Sequence, residues 1–337
     1  NKLYLNGLNE KHKERIRAME EGGGITYWEV IFEANTFTDL LDRLNMVDEI
    51  ADVGGIELRL FRLGAAEDIF AEIGKMAFAG AVAVSDDGRP VENGGQMLEA
   101  LKLAQKEGLL ALSHCEDLTI IDGGIINKGK ISEELGVKGM DRASEDSITA
   151  REIVLAECSD TRIHICHVST KGSVQLIREA KARGVKVTAE TAPHYMMMTD
   201  ELLRKQDANW RMNPPLREQE DCEAVIAGVL DGTLDCIITD HAPHAAEEKN
   251  CSMKKASFGI VGLETAFGLS VTELVEGGYL TPMQLAAHMS LNPANVIGIP
   301  KGDISKGKCA DIAIVDLKEK WVVNSEEFAS KGKNMPF

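Results

Sequence analysis

The chain has 337 residues, 44% of them hydrophobic and 27% charged, and 54 acidic against 37 basic side chains leave a formal net charge of -17. That length suits one large domain or two smaller ones, and the charge argues against the basic patch that nucleic acid or an anionic membrane would need. No apolar run approaches membrane-spanning length and no signal peptide opens the chain, so a cytoplasmic location with reduced thiols is expected for its seven scattered cysteines.

Lys2 to Asn6 reads as a short alternating strand, and the charged stretch Glu10 to Glu21 as a helix stopped by Gly22, Gly23 and Gly24. Ile25 to Phe32 and Ile56 to Leu63 read as strands, although Glu29 and Glu33 in the first, and Glu57 and Arg59 in the second, sit awkwardly in strands meant for burial on both faces. From residue 75 the alternation becomes regular. Strands are expected at Ala79 to Val84, Leu109 to Leu112, Ile163 to Cys166, Val185 to Ala189 and around Leu234 to Ile238. Between them, helices are expected at Gln96 to Lys106, Ser147 to Glu157, Val174 to Ala182 (stopped by Gly184) and Asp221 to Leu230. Strand–helix alternation with polar residues at each strand's C-terminal end predicts a parallel sheet with helical crossovers. A barrel fits better than an open sheet, because no Gly-rich phosphate loop follows the first strand. Gln284 to Met289 is read as helical. Ala310 to Leu317 is read as a strand outside the pattern, part of a second, small β unit.

Four of these strand ends carry chemistry: Asp87, His114, His167 and Asp240. In an α/β barrel such ends converge on one rim. Imidazole plus carboxylate is the donor set of a hard or borderline divalent site. Taken singly, each residue has a plain alternative, and the stretch Asp240, His241, His244 could be a polar turn with solvated histidines. Four on successive strand ends favour a metal site. His164 and His288 are read as structural, His12 as solvated, and Cys115 and Cys166 as small buried residues.

The segments S-D-D-G (85–88), S-H-C-E-D (113–117), C-H-V-S-T (166–170), A-P-H (192–194), M-N-P-P-L-R (212–217), T-D-H-A-P-H (239–244) and F-G-I-V-G-L-E-T (258–265) resemble those of the bacterial type I dihydroorotases of the amidohydrolase superfamily. The match runs in order from about residue 75 to the end of the sequence. The resemblance implies an α/β fold: a TIM-like (β/α)8 barrel over residues 9–301, and a small β-sandwich from the chain ends, residues 1–8 and 302–337. It implies one or two zinc ions, with Asp87 as bridging ligand, His114 and His167 on one metal, and Asp240 as ligand to the other and general base. Asn35, Asn213, His244, Phe258 and Gly259 would hold the substrate. The implied reaction is the reversible closure of N-carbamoyl-L-aspartate to L-dihydroorotate in pyrimidine biosynthesis. A homodimer and an association with aspartate transcarbamoylase are the implied protein partners. Hydantoinases and allantoinases share the barrel, but they bridge their metals with a carbamylated lysine where S-D-D-G offers Asp87.

One expected motif is missing. The family's first barrel strand carries H-x-H-x-R, two metal ligands and a carboxylate-binding arginine, whereas this sequence runs from K-L-Y-L-N-G-L directly into N-E-K-H-K-E. Omission of residues, truncation and natural loss of catalysis each account for it. Omission is the favoured expectation, because a true loss would leave apolar barrel surface in water at about 25 cal/mol per Å².

Overall fold

The computed structural model describes residues 50–53, 56–62 and 69–336, with side chains from Ile73 onward. The readings at Lys2 to Asn6, Glu10 to Glu21, Ile25 to Phe32 and Asn35 lie outside the described residues. Two units make up the chain, Asn1–Leu60 and Phe61–Phe337. Strand β1 (Ile50–Val53) pairs antiparallel with β2 (Ile56–Arg62), Val53 opposite Ile56.

The second unit opens with helix α1 (Ile69–Phe78), β3 (Ala81–Ser85), α2 (Gly94–Lys106) and β4 (Leu110–Ser113). An excursion follows: α3 (Leu118–Ile121), β5 (Ile126–Asn127), α4 (Lys130–Glu134) and β6 (Gly139–Met140), where β5 and β6 form a two-stranded parallel ribbon. The alternation then resumes with α5 (Ala143–Ser159), β7 (Ile163–Ile165), α6 (Lys171–Ala182), β8 (Val187–Thr191), α7 (Pro193–Met197), α8 (Gln219–Leu230) and β9 (Cys236–Ile237). Strands β3, β4, β7, β8 and β9 lie side by side in that order, all parallel, with Ala83 opposite Leu110, Ala111 opposite Ile163, Ile163 opposite Val187 and Glu190 opposite Cys236. This is the half-barrel of a TIM-like α/β fold.

Local chemistry sets the boundaries. The Asn93 side chain accepts from the Gln96 N–H at 3.1 Å and caps α2, and Thr170 caps α6 through Ser173 in the same way. Gly184, at φ +85°, ends α6 in the left-handed conformation that glycine adopts without a Cβ penalty.

The core has two faces, as a parallel sheet requires. Val84, Ala111, Ile163, Ile165 and Val187 point outward onto helix residues such as Leu101, Ile153 and Ile177. Ala83, Leu110 and Cys236 point the other way, toward Leu112, Ile238 and Val296. Ile163, Ile165 and Ile177 are fully buried, and each contributes roughly 1.5–3 kcal/mol by leaving water.

The C-terminal part departs from expectation. Ala310 to Leu317 forms no strand, and Ile312, Ile314 and Val315 are exposed. An isolated alternating segment has no ladder to join, so its backbone stays with solvent. Further on, Phe328 and Met335 are buried against Val261.

Candidate metal centre

β3 delivers two carboxylates with different tasks. Asp86 is buried, and its oxygens accept the backbone N–H groups of His114 at 2.8 Å and Val91 at 3.0 Å. It ties the end of β3 to the end of β4. The next residue, Asp87, points the other way, with its side chain 61% exposed.

Three donors meet at this point. His114 Nδ1 lies 2.8 Å from His167 Nε2, and Asp87 Oδ1 lies 3.1 Å from the former and 3.5 Å from the latter. The imidazole planes stand at 79° to one another. His167 reaches its place through a left-handed backbone, φ +33°, a conformation that costs a non-glycine residue about 1–2 kcal/mol. Asp240 shares that feature at φ +47°. Such strain persists where the surroundings over-determine it, often at functional sites.

The electrostatics follow from crowding. Burial opposes the charge on His114, but the Asp87 and Glu116 carboxylates outweigh it and hold its pKa up at about 10. Although the Asp87 side chain is largely exposed, the crowding of its carboxylate by neighbouring groups strips some water from it and opposes ionisation, yet hydrogen bonds from His114 and His167 hold its carboxyl well below the usual range. The cluster therefore carries an ionised carboxylate against imidazoles.

Two imidazole nitrogens and a carboxylate oxygen, all within 4.8 Å of one another, form a candidate metal site. Nitrogens on one tetrahedral zinc stand roughly 3.3 Å apart, given bonds of about 2.0–2.1 Å. The observed separations of 2.8, 3.1 and 3.5 Å bracket that value, so the residues fit such an ion with shifts of about half an ångström.

Asp240 is not one of the three. Its Oδ2 accepts from the Tyr195 hydroxyl at 3.2 Å and lies 3.6 Å from His194 Nε2. Burial resists its ionisation, but the His194 imidazole 3.6 Å away and the His167 charge outweigh that and lower its pKa. Asn213 does reach the cluster: its Nδ2 donates to Glu116 Oε1 at 2.9 Å and lies 3.5 Å from His114 Nε2.

The remaining sequence-predicted residues form a group of their own. His244 Nε2 donates to the Phe258 carbonyl at 2.6 Å, and Arg211 stacks on the Phe258 ring at 4.0 Å. Gly259, at φ +119°, packs so tightly that an added Cβ would lie 2.4 Å from Ala242 Cβ. Lys249 ties the group together by donating to the carbonyls of Arg211, Ser257 and Gly259. Asn334 Nδ2 donates to the carbonyls of Ala242 and Gly259.

Two histidines are structural, as the sequence suggested. His164 is buried between Thr188 and Glu190, and His288 contacts the Asp235 carbonyl. His241, in the stretch that could have been a polar turn with solvated histidines, is engaged by the backbone: its Nδ1 accepts the N–H groups of Gly262 and Leu263. Sequence reasoning left Glu116 and His194 without a role. The signal was present for Glu116, because it stands two residues after His114, on the same side of an extended chain.

Histidines and carboxylates gather at the C-terminal ends of parallel α/β strands, and the chain belongs to the Amidohydrolase family, whose profile matches residues 14–336. Among curated relatives, the dihydroorotase of Pelotomaculum thermopropionicum is 52% identical over 274 residues, covering 81% of this chain and 64% of that protein. The dihydroorotase of Ruminiclostridium cellulolyticum is 46% identical over 342 residues, covering 99% of this chain and 80% of that protein. This chain thus spans about 64% of the length of several relatives it matches. In fold it is similar to the L-hydantoinase (dihydropyrimidinase) from Arthrobacter aurescens, with a TM-score of 0.68 and 23% identity over 82% of this chain and 64% of that one. Among the described residues no helix is long and apolar enough to cross a membrane.

Proposed function

We propose that this chain is the barrel part of a zinc-dependent dihydroorotase, which interconverts N-carbamoyl-L-aspartate and L-dihydroorotate. The observation that carries the reading is the convergence of Asp87, His114 and His167 from three neighbouring strand ends. The naming of relatives at 46–52% identity supports it. The full protein would close an eight-stranded barrel and build a β-sandwich from its chain ends. The exposed Ile312 and Ile314 fit a strand that finds its partners there.

Zinc held by Asp87, His114 and His167 would lower the pKa of a bound water and polarise the scissile amide carbonyl. Asp240 carries the proton. Its ionised carboxylate takes a proton from the attacking water and returns it to the leaving nitrogen, with Tyr195 and His194 fixing its direction. Asn213, His244 and the backbone at Phe258 and Gly259 offer neutral donors and acceptors to an anionic substrate.

The absence of H-x-H-x-R favours one further reading, a non-catalytic subunit that scaffolds aspartate transcarbamoylase. Zinc content and dihydroorotate hydrolysis by the purified protein separate the two. Under the enzyme reading Asp240→Asn lowers turnover by about 10²–10⁴-fold with the fold intact. Near-normal turnover in that variant refutes the assignment of Asp240, and hydrolysis of hydantoin or allantoin in place of dihydroorotate refutes the substrate. A zinc-free, inactive protein that binds aspartate transcarbamoylase establishes the scaffold.

A further inference from the structure

Glu116 is buried and bridges two groups. Its Oε2 lies 3.0 Å from His114 Nε2, and its Oε1 accepts from Asn213 Nδ2 at 2.9 Å. The opposite nitrogen of the same ring, Nδ1, faces Asp87 and His167. A carboxylate only accepts hydrogen bonds, so a ring nitrogen bonded to it must carry the proton. When a cation displaces the second ring proton, the Nδ1 lone pair is then the one directed at the candidate centre. A metal-ligating histidine characteristically donates its other N–H to a carboxylate or carbonyl, which fixes both tautomer and ring orientation.

The neighbouring acids have different work. Asp86 holds the His114 backbone and does not touch the ring, and Asp87 sits at the Nδ1 side. The other contact to His114 Nε2 is the Asn213 amide at 3.5 Å, and that amide is itself engaged by Glu116. The carboxylate is therefore braced from both sides: it cannot turn away from His114 without breaking its bond to Asn213.

We infer that Glu116 is a positioning residue: it fixes His114 as the tautomer protonated at Nε2 and holds Nδ1 ready to ligate a divalent cation. The inference rests on the metal-centre reading above, and it has one readout that is independent of that reading.

Two measurements on the whole chain test it. The first is Zn²⁺ affinity, by competition with a chromophoric chelator. Glu116→Ala lowers affinity about 10- to 100-fold. Glu116→Gln keeps an acceptor oxygen for His114 Nε2–H at nearly the same size, and the Asn213 amide can turn its oxygen to the new NH2, so affinity returns to within about threefold of wild type. The second is the His114 tautomer, read without metal from ¹⁵N-histidine spectra at a pH above the raised pKa of the ring, where the imidazole is neutral, with His114→Gln supplying the assignment. Wild type shows the Nε2–H form, and Glu116→Ala shows a mixture. An unchanged tautomer in Glu116→Ala overturns the inference. So does a loss of Zn²⁺ affinity in Glu116→Gln as large as that in Glu116→Ala. If wild type binds no Zn²⁺, the metal-centre reading fails, and the tautomer spectra still decide the role of Glu116.

Discussion

Glu152 lies on α5 with its side chain fully buried, and only one of its oxygens is engaged. Arg151 pairs with Oε1, through Nε at 2.8 Å, while Oε2 has no partner. Burial pushes its carboxyl pKa up to about 7, against an ordinary 4.5, with the Asp86 charge adding to the rise and Arg151 working against it. A carboxyl that is harder to ionise in the folded state binds more protons there than in the unfolded chain between pH 4.5 and 7. Stability from this group is therefore intact below pH 4.5, falls as pH rises through that window, and is level above it. The shift of about 2.5 units at 1.36 kcal/mol each comes to about 3 kcal/mol. Glu152→Gln removes the titration and keeps an oxygen for Arg151. Urea unfolding of wild type and variant, in half-unit steps from pH 4.5 to 8, isolates the term by difference. The variant should gain about 3 kcal/mol on wild type across the window, about 1 M in urea midpoint at an m-value near 3 kcal/mol/M. A difference that stays flat with pH would show that Glu152 is already ionised when the chain folds, and would sink the argument.

Two further substitutions probe the loops beside the site. Gly259→Ala places a methyl 2.4 Å from Ala242 Cβ at φ +119°, so thermal unfolding should report a loss of about 2–4 kcal/mol. Adding Ala242→Gly should recover the steric part and leave the backbone strain; no recovery would put the cost elsewhere. Lys249→Met leaves the carbonyls of Arg211, Ser257 and Gly259 without their shared donor. The Arg211 and Gly259 carbonyls keep the Gly259 N–H and the Asn334 amide as donors, so the Ser257 carbonyl sets the expected loss at about 1–3 kcal/mol, together with faster amide exchange at Gly259. Unchanged exchange there would mean that the loop does not depend on Lys249.

The regular part of the fold was legible because its strands are buried on both faces. Ile163, Ile165, Val187 and Ala189 form short apolar runs, and the helices between them show 3.6-residue periodicity with readable stops such as Gly184. The strand ends named Asp87, His114 and His167 for the same reason: a polar residue straight after a buried strand has few explanations. The reading failed where a pattern needs a partner to become structure. Ala310 to Leu317 alternates like a strand and forms none, since alternation records a preference and a ladder requires a neighbour.

The chain itself determined which side chains arrive at the rim and in what order, because strand length and polarity are local properties. Only the tertiary structure decided what each does there. It divided the adjacent Asp86 and Asp87 between a backbone brace and a carboxylate that faces His114 and His167, and it turned His241 to the Gly262 and Leu263 amides. It also joined Glu116 to His114 and Asn213 across 97 positions of sequence. Roles of this kind depend on distances of about 3 Å between groups remote in the chain, and no pattern along one sequence contains them.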